Sequence, residues 1–304
     1  MTRGLALIVG LNAVLLVAVL VVVFALAGSG DDEATPERAV SSRAPAVDRF
    51  DSARAFAELR RQVELGPRPA GSATLRRLAA RLRSALPRGR FEPVPGHPGL
   101  RNVVGRLPGR KPAIVIAAHY DTKDIPGFVG ANDGAGGTAA VVELARVLER
   151  MDRPRGAPAL RFVLFDGEEA TDDSRPFTET GIRGSKAYAR RHRGDVRALI
   201  LLDFVAGKGM RIQREASSNE ALWERLRRAA RTVGAGAAFP PGSGSAITDD
   251  HTPFLAQGVP SIDLIEWPYA CWHETCDDLS AVSERSLDQT GETVVELVRT
   301  LSSP

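Results

Sequence analysis

The sequence predicts an α/β protein: a three-layer fold with a mostly parallel, mixed central sheet and helices on both faces. Apolar runs that suit buried strands alternate along the chain with segments whose apolar residues recur at helical spacing. Such alternation is typical of parallel sheets that are covered on both faces. The composition is that of a globular protein, since 43% of the 304 residues are hydrophobic and 25% are charged.

The chain opens with an uncharged apolar stretch, GLALIVGLNAVLLVAVLVVVFALAG (4–28), which Arg3 precedes. At helical rise this stretch is long enough to cross a hydrocarbon core of about 30 Å. With the positive-inside bias, it predicts a signal anchor or transmembrane segment over residues 1–28 and an extracytoplasmic position for the rest. The alternative is a secreted protein whose signal peptide is cleaved near Ala25-Leu26-Ala27. The apolar stretch exceeds the usual apolar region of about 7 to 15 residues, which favours the anchor.

Residues 29–48 are small, polar and proline-containing, and they predict a flexible linker. One folded domain is then expected over residues 49–304. The formal net charge is +3, and the basic residues are scattered without an aromatic-interleaved patch. Nucleic-acid binding is therefore not expected.

Within this domain, strands and helices are expected in alternation, with helix starts marked by Ser, Asp or Asn. Apolar runs predict strands over 102–107, 113–119, 160–166, 198–204 and 259–265. Helical periodicity predicts helices over 51–65, 72–86, 134–151, 183–192, 219–233 and 283–301.

Histidine and carboxylate residues stand at six strand ends or loops of this predicted sheet. They are His119 with Asp121, Asp133, Glu168 with Glu169, Asp203, the group Asp249, Asp250 and His251, and finally His273. Sites in doubly wound sheets form beyond the carboxyl ends of the strands. Because imidazole and carboxylate suit zinc, this set predicts a zinc centre with enough ligands for two ions. The alternative is that single acids are solvated or cap a helix, as Asp133 could do for the helix after it.

Six blocks carry a resemblance to a known superfamily. The blocks are HYD (119–121), GAND (130–133), DGEE (166–169), LLD (201–203), DDHTPF (249–254) and WHETCDD (272–278). In order and spacing they resemble the zinc aminopeptidases and glutaminyl cyclases, over essentially the whole chain from Phe50 onward. The resemblance implies a phosphorylase/hydrolase-like sheet of the zinc exopeptidase type.

The resemblance also implies the site. Both branches would hold one zinc with the same three residues, Asp133, Glu169 and His273. In an aminopeptidase, His119 and Asp203 would share Asp133 with a second zinc, and Glu168 would be the general base. In a cyclase there would be one zinc, Glu168 would transfer the proton, and Asp203 and Asp249 would form hydrogen bonds around it.

Several stretches resemble the cyclases more closely. Residues 50–72 resemble their amino-terminal helix and GPR-x-x-GS turn, and residues 128–135 resemble their FVGA-x-D-x-A block. Trp272 and Tyr269 match the aromatic wall of the cyclase pocket, and Trp267 is near enough in sequence to line it.

Two departures from the cyclase pattern stand out. The segment 170–181 lacks the Trp that animal cyclases carry after the Glu pair, and Asp263 stands where many relatives have His. Cys271 and Cys276 flank His273 and are expected to form a disulfide in an exported domain, the alternatives being free thiols or a metal ligand.

The expected function is a zinc-dependent glutaminyl-peptide cyclotransferase that acts on peptide N-termini. The alternative is a dizinc aminopeptidase, and a third possibility is a non-catalytic extracytoplasmic binding domain. Zinc content discriminates among the three.

Overall fold

A computed structural model describes residues 47–303 of the chain. The predicted anchor (1–28) and all but the last two residues of the predicted linker (29–48) lie outside the described residues. None of the helices within 47–303 combines the length and apolar character that a membrane crossing requires. The anchor therefore stays a prediction.

Six strands in the described range form one mixed sheet in the order β1-β2-β4-β3-β5-β6. The strands are β1 Arg90–Pro93, β2 Arg101–Leu107, β3 Arg110–His119, β4 Pro158–Phe165, β5 Val196–Leu202 and β6 Ser261–Leu264. β3, β4, β5 and β6 are mutually parallel, whereas β1 and β2 form an antiparallel edge. The mixed sheet is as predicted, except that β1 was not expected.

Eight α-helices are described. They are α1 Ser52–Val63, α2 Ala73–Ala85, α3 Gly137–Arg150, α4 Phe177–Thr180, α5 Arg183–Arg191, α6 Glu220–Thr232, α7 Thr252–Leu255 and α8 Glu284–Ser302. The side chains of Asp51, Ser72, Asn219 and Ser283 accept hydrogen bonds from backbone N–H groups in the first turns of α1, α2, α6 and α8. These caps explain why the predicted helix starts fall within one or two residues of the observed ones.

Helices cover both faces of the sheet. On one face α1, α2, α3, α6 and α8 pack on strand residues such as Ile116 and Phe162, and Trp223 of α6 belongs to this core. On the other face Val115 and Val163 pack with Tyr188 of α5 and Phe254 of α7. Because alternate residues of β3 and β4 are buried on opposite faces, the carboxyl-terminal halves of both strands are continuously apolar up to the last residue or two.

Close contact between α3 and β5 brings the start of α3 to the carboxyl end of the sheet. A Cβ atom at Gly137 would lie 2.0 Å from the carbonyl oxygen of Leu202. Only glycine allows this approach, which places the turn before α3 beside the end of β5.

Candidate active site

Asp133 lies in an irregular turn between β3 and α3. The segment Ala131–Gly136 is a π-helical turn that Asp133 (φ −82°, ψ 98°) and Gly134 (φ 91°) interrupt. α3 begins at Gly137 without a side-chain cap, so the alternative that Asp133 only caps this helix is wrong. A Cβ at Gly134 would lie 2.7 Å from the carbonyl oxygen of Asp121, which makes glycine necessary at this turn.

Two sets of ligand-type side chains meet at Asp133. The Nε2 atom of His119 lies 3.2 Å from Oδ1 of Asp133 and 3.4 Å from Oδ1 of Asp203. The Nε2 atom of His273 lies 3.2 Å from Oε2 of Glu169 and 3.8 Å from Oδ2 of Asp133. In each set the ligand atoms lie within 4.8 Å of one another, and Asp133 belongs to both. This is the arrangement expected of two adjacent metal positions that share a carboxylate.

Several of these ligand atoms are buried without a hydrogen-bond partner. Both ring nitrogens of His119, Oδ2 of Asp133 and Oε1 of Glu169 lack one, although the three residues are at most 4% exposed. A buried polar atom without a partner costs about 1–3 kcal/mol, and more when it is charged. Since a divalent cation would satisfy all of them, the residues present fit a zinc ion.

Burial and like charge raise the pKa values of the acids around this centre. Burial raises the pKa of Glu168 well above its ordinary value, and neighbouring Glu169 adds to the effect, although His119 opposes it. Burial, reinforced by Asp133, raises the pKa of Glu169 to about 7. Burial also raises the pKa of Asp203 to about 7 against the opposing influence of His119. Without a metal ion, Glu169 and Asp203 therefore hold protons up to near-neutral pH.

Asp121 fixes the turn that carries the two glutamates. Its carboxylate accepts hydrogen bonds from the backbone N–H groups of Glu168 at 3.2 Å and Glu169 at 3.3 Å. Asp121 was noticed in the sequence only as an acid at a strand end, and its supporting role was not predicted. The contact joins the end of β3 to the end of β4.

Three non-glycine residues at the edge of the centre have left-handed backbone conformations. They are Ile182 (φ 44°), Phe204 (φ 45°) and His273 (φ 55°). Each such residue costs on the order of 1–3 kcal/mol and persists only where its surroundings hold it. The N–H of Ile182 donates to the carbonyl of Glu168 at 2.7 Å, and that of Phe204 donates to the carboxylate of Asp203 at 3.0 Å.

A cavity of about 620 Å³ opens onto Glu168, Asp203 and Asp249. Trp267 and Trp272 line it as predicted from the sequence. The ring of Trp272 stacks on His273 with centroids 4.4 Å apart and meets Trp267 edge-on at 5.0 Å.

The aromatic wall differs from the prediction in two places. Tyr269 does not line the cavity, because its hydroxyl donates to Oδ1 of Asp277 at 2.8 Å and its ring packs against Phe204. Phe177 does line the cavity, although the sequence had shown only that the segment 170–181 lacks a Trp.

The loop that carries His273 is closed by a disulfide between Cys271 and Cys276, whose Cα atoms are 5.4 Å apart. Neither cysteine is therefore a free thiol or a metal ligand.

A second cluster of acids surrounds His251 beneath the cavity. The Nε2 atom of His251 lies 2.9 Å from Oγ of Ser217 and 3.2 Å from Oε2 of Glu215, and Nδ1 lies 3.6 Å from Oδ2 of Asp263. Ligand-type atoms of Asp249, His251 and Asp263 also lie within 4.8 Å of one another. Glu215 stands outside every motif, so nothing in the sequence indicated its role.

The fold and the centre together define a class of α/β proteins in which strand ends present histidine and carboxylate side chains suited to a metal. More than half of the chain, residues 102–298, matches the sequence model of Peptidase family M28, and the chain belongs to that family.

Known relatives confirm the resemblance to the glutaminyl cyclase branch. The chain is 30% identical over 230 residues to a glutaminyl-peptide cyclotransferase of Drosophila melanogaster, a match that covers 64% of this chain and 63% of the relative. The chain therefore spans less than two thirds of the length of that relative.

Solved structures of both branches share the fold. A glutaminyl cyclase from an Acidobacteriales bacterium is similar with a TM-score of 0.75 and 28% identity, over 86% of this chain and 98% of that one. A leucine aminopeptidase precursor from Bacteroides thetaiotaomicron is similar with a TM-score of 0.74 and 25% identity, over 84% and 99% of the two chains.

Proposed function

We propose that the protein is a zinc-dependent glutaminyl-peptide cyclotransferase, which converts an N-terminal Gln to pyroglutamate and releases ammonia. The observation that carries the proposal is that Glu168, Asp203 and Asp249 line one aromatic-walled cavity beside the metal-ligand set. The glutaminyl cyclase relatives support it, and they support a peptide N-terminus as the substrate.

Asp133, Glu169 and His273 would hold the zinc, which supplies Lewis-acid polarisation of the substrate's side-chain amide carbonyl when bound. These residues fit that role because Asp133 and Glu169 each have a buried oxygen without a hydrogen-bond partner. The indole of Trp272, stacked on His273, covers the ligand on the cavity side. Trp267 and Phe177 complete the aromatic wall of the cavity.

Glu168 would move the proton. It takes a proton from the substrate's α-amino group as that nitrogen attacks the side-chain amide carbon and the ring C–N bond forms. It then returns the proton to the departing nitrogen, the original C–N bond breaks, and ammonia leaves. A carboxyl group that does both tasks works best with a pKa near the working pH, and burial raises the pKa of Glu168 in that direction.

A second candidate function is supported by the complete set of His119, Asp133 and Asp203. With a second zinc there, the protein would be an aminopeptidase, and Glu168 would take a proton from the water that attacks the first peptide bond. The structural similarity to a leucine aminopeptidase precursor supports this alternative.

A paired assay on the purified protein tests the proposal. A Gln-initiated peptide is followed for pyroglutamate and ammonia, and a Leu-initiated peptide is followed for free leucine, while zinc is counted by elemental analysis. We expect pyroglutamate with one zinc per chain. Free leucine with two zinc ions per chain would establish the aminopeptidase instead, and neither product with no zinc would leave a binding domain.

A further inference from the structure

Arg68 is a fully buried arginine, 0% exposed, in the segment between α1 and α2. Its guanidinium donates through Nη1 to the carbonyl oxygen of Val129 at 2.5 Å and through Nη2 to that of Gly130 at 3.0 Å. The backbone N–H of Arg68 donates to Oγ1 of Thr122 at 3.0 Å. Burying a guanidinium costs several kcal/mol of desolvation, on the order given for any buried ion. The hydrogen bonds to the carbonyl oxygens of Val129 and Gly130 offset part of this cost.

Asp277 binds the same turn from its N–H side. Its carboxylate accepts hydrogen bonds from the N–H of Asn132 at 2.8 Å and of Asp133 at 2.9 Å. Its backbone carbonyl accepts one from the N–H of Ala131 at 3.0 Å. Tyr269 donates its hydroxyl to the same carboxylate at 2.8 Å, which keeps Asp277 oriented toward the turn.

The turn needs these partners because it is not regular structure. Gly130 has φ 50° and Asp133 has ψ 98°, so consecutive backbone groups from residue 129 to residue 133 do not all bond within a helix. Buried backbone groups require partners. Arg68 donates to two carbonyls of the turn, and Asp277 accepts from three of its N–H groups. These hydrogen bonds fix the backbone of the turn and therefore the direction of the Asp133 carboxylate.

We infer that Arg68 and Asp277 are positioning residues that aim the Asp133 carboxylate at the metal. The inference rests on the zinc site of the proposed function but not on which of the two reactions occurs there. Asp277 lies four residues after His273, in the same loop, so it also ties two ligands of one set together. Arg68 links the turn to the segment between α1 and α2, which carries no metal ligand.

The test is zinc affinity, measured by competition with a chromophoric chelator on the purified full chain. Arg68→Lys keeps the charge but loses the planar fork that reaches both carbonyls. We expect zinc to bind about 10- to 100-fold more weakly, the effect typical of residues that orient a metal ligand. The matched control is Arg161→Lys, because Arg161 is also largely buried and pairs with Tyr188 and Asp195, away from the turn. The control should bind zinc as the parent does.

A second variant and a second measurement keep the inference testable if Arg68→Lys fails to fold. Asp277→Asn removes one of the two carboxylate acceptors, and it should weaken zinc binding in the same range. In the metal-free protein, either variant should speed hydrogen exchange at the N–H groups of residues 131–133. Folded variants with the parent's zinc affinity and exchange rates would overturn the inference. A parent protein that binds no zinc would instead overturn the proposed function first.

Discussion

Two clusters at the carboxyl edge of the sheet use the same residue types in different ways. In the ligand cluster (His119, Asp133, Glu169, Asp203 and His273), neither ring nitrogen of His119 has a hydrogen-bond partner. In the buried cluster (Glu215, Asp249, Asp250, His251 and Asp263), only one ring nitrogen of His251, Nδ1, lacks a hydrogen-bond partner, because the Nε2 atom lies 2.9 Å from a Ser217 hydroxyl. Asp249 lines the cavity that also opens onto the ligand cluster, so it joins the two.

The two clusters differ in how their carboxylates are bonded rather than in residue type or spacing. Both clusters hold a histidine and two acids within 4.8 Å of one another. In the buried cluster, however, Glu215 lies close enough to form an ion pair with His251, and this pairing, against the effect of burial, lowers the pKa of Glu215 to about 2. The backbone N–H groups of Ser217 and Ile247 also donate to the Glu215 carboxylate. In the ligand cluster, by contrast, burial raises the pKa values of Glu169 and Asp203 to about 7.

Catalysis and metal binding should be separable at the ligand cluster. Glu168→Gln should retain zinc, because Glu168 belongs to neither ligand set, but should lower kcat by about 10²- to 10⁴-fold. His273→Ala should lose both zinc and activity. Activity assays and elemental analysis on the same samples check this, with the exposed Glu149→Gln as the control. Near-normal turnover in Glu168→Gln would remove Glu168 from the mechanism.

The next prediction concerns the buried cluster. His251→Leu should leave zinc content unchanged but destabilise the fold by about 3–5 kcal/mol, because Glu215 would remain buried without its partner. Urea denaturation of the zinc-free protein measures this. The double variant His251→Leu with Glu215→Leu should recover part of the loss. If His251→Leu instead lost zinc with little change in stability, the zinc site would be the buried cluster and not the ligand cluster.

The sheet and the ligands were predictable because their signals are local. Apolar runs make up the second half of β3, β4 and β5, and ligand-type residues stand at or just after the strand ends. β1 was missed because RFEP is short, contains Pro93 and lies at the sheet edge, where no apolar run is needed.

The supporting residues were not predictable because their partners are distant in sequence. The hydrogen-bond partners of Asp277 precede it in the chain by 144 and 145 positions, and those of Arg68 follow it by 61 and 62 positions. Tyr269 was predicted to line the pocket from its neighbours in the chain, but its hydroxyl bonds to Asp277, which only the folded loop reveals. The absence of a Trp from the segment 170–181 was visible in the sequence, whereas the position of Phe177 at the cavity was not.

The two clusters should respond to pH with opposite sign. The pKa values of Glu169 and Asp203 are raised to about 7 in the metal-free fold, so the folded state holds protons that the unfolded state has lost. The contribution of these two groups to the free energy of unfolding is complete below their unfolded pKa values. It is lost as pH rises toward 7. Each contributes a slope on the order of 1 kcal/mol per pH unit there. For Glu215, with its pKa lowered to about 2, stability is instead lost only as pH falls below about 4.5.

Denaturation of the metal-free protein at pH 5, 6 and 7 checks this prediction. Asp203→Asn should reduce the slope of unfolding free energy against pH by the contribution of one carboxyl group. Saturating zinc should reverse or abolish it, because the ligands bind zinc only when deprotonated. A metal-free protein that gains stability from pH 5 to pH 7 would contradict the raised pKa values.

A modest change is expected at the aromatic wall of the cavity. The ring of Phe177 packs so closely on Gly181 that a Cβ there would lie 2.8 Å from Cε2, which fixes the ring at the cavity. Phe177→Ala should raise KM for a Gln-initiated peptide by about 2- to 10-fold, the equivalent of about 0.5–1.5 kcal/mol, with zinc content unchanged. Phe177→Trp restores the residue type that the cyclase pattern carries in this segment, and it should lower KM or leave it unchanged. An unchanged KM in Phe177→Ala would mean that Trp267 and Trp272 form the substrate-contacting wall without Phe177.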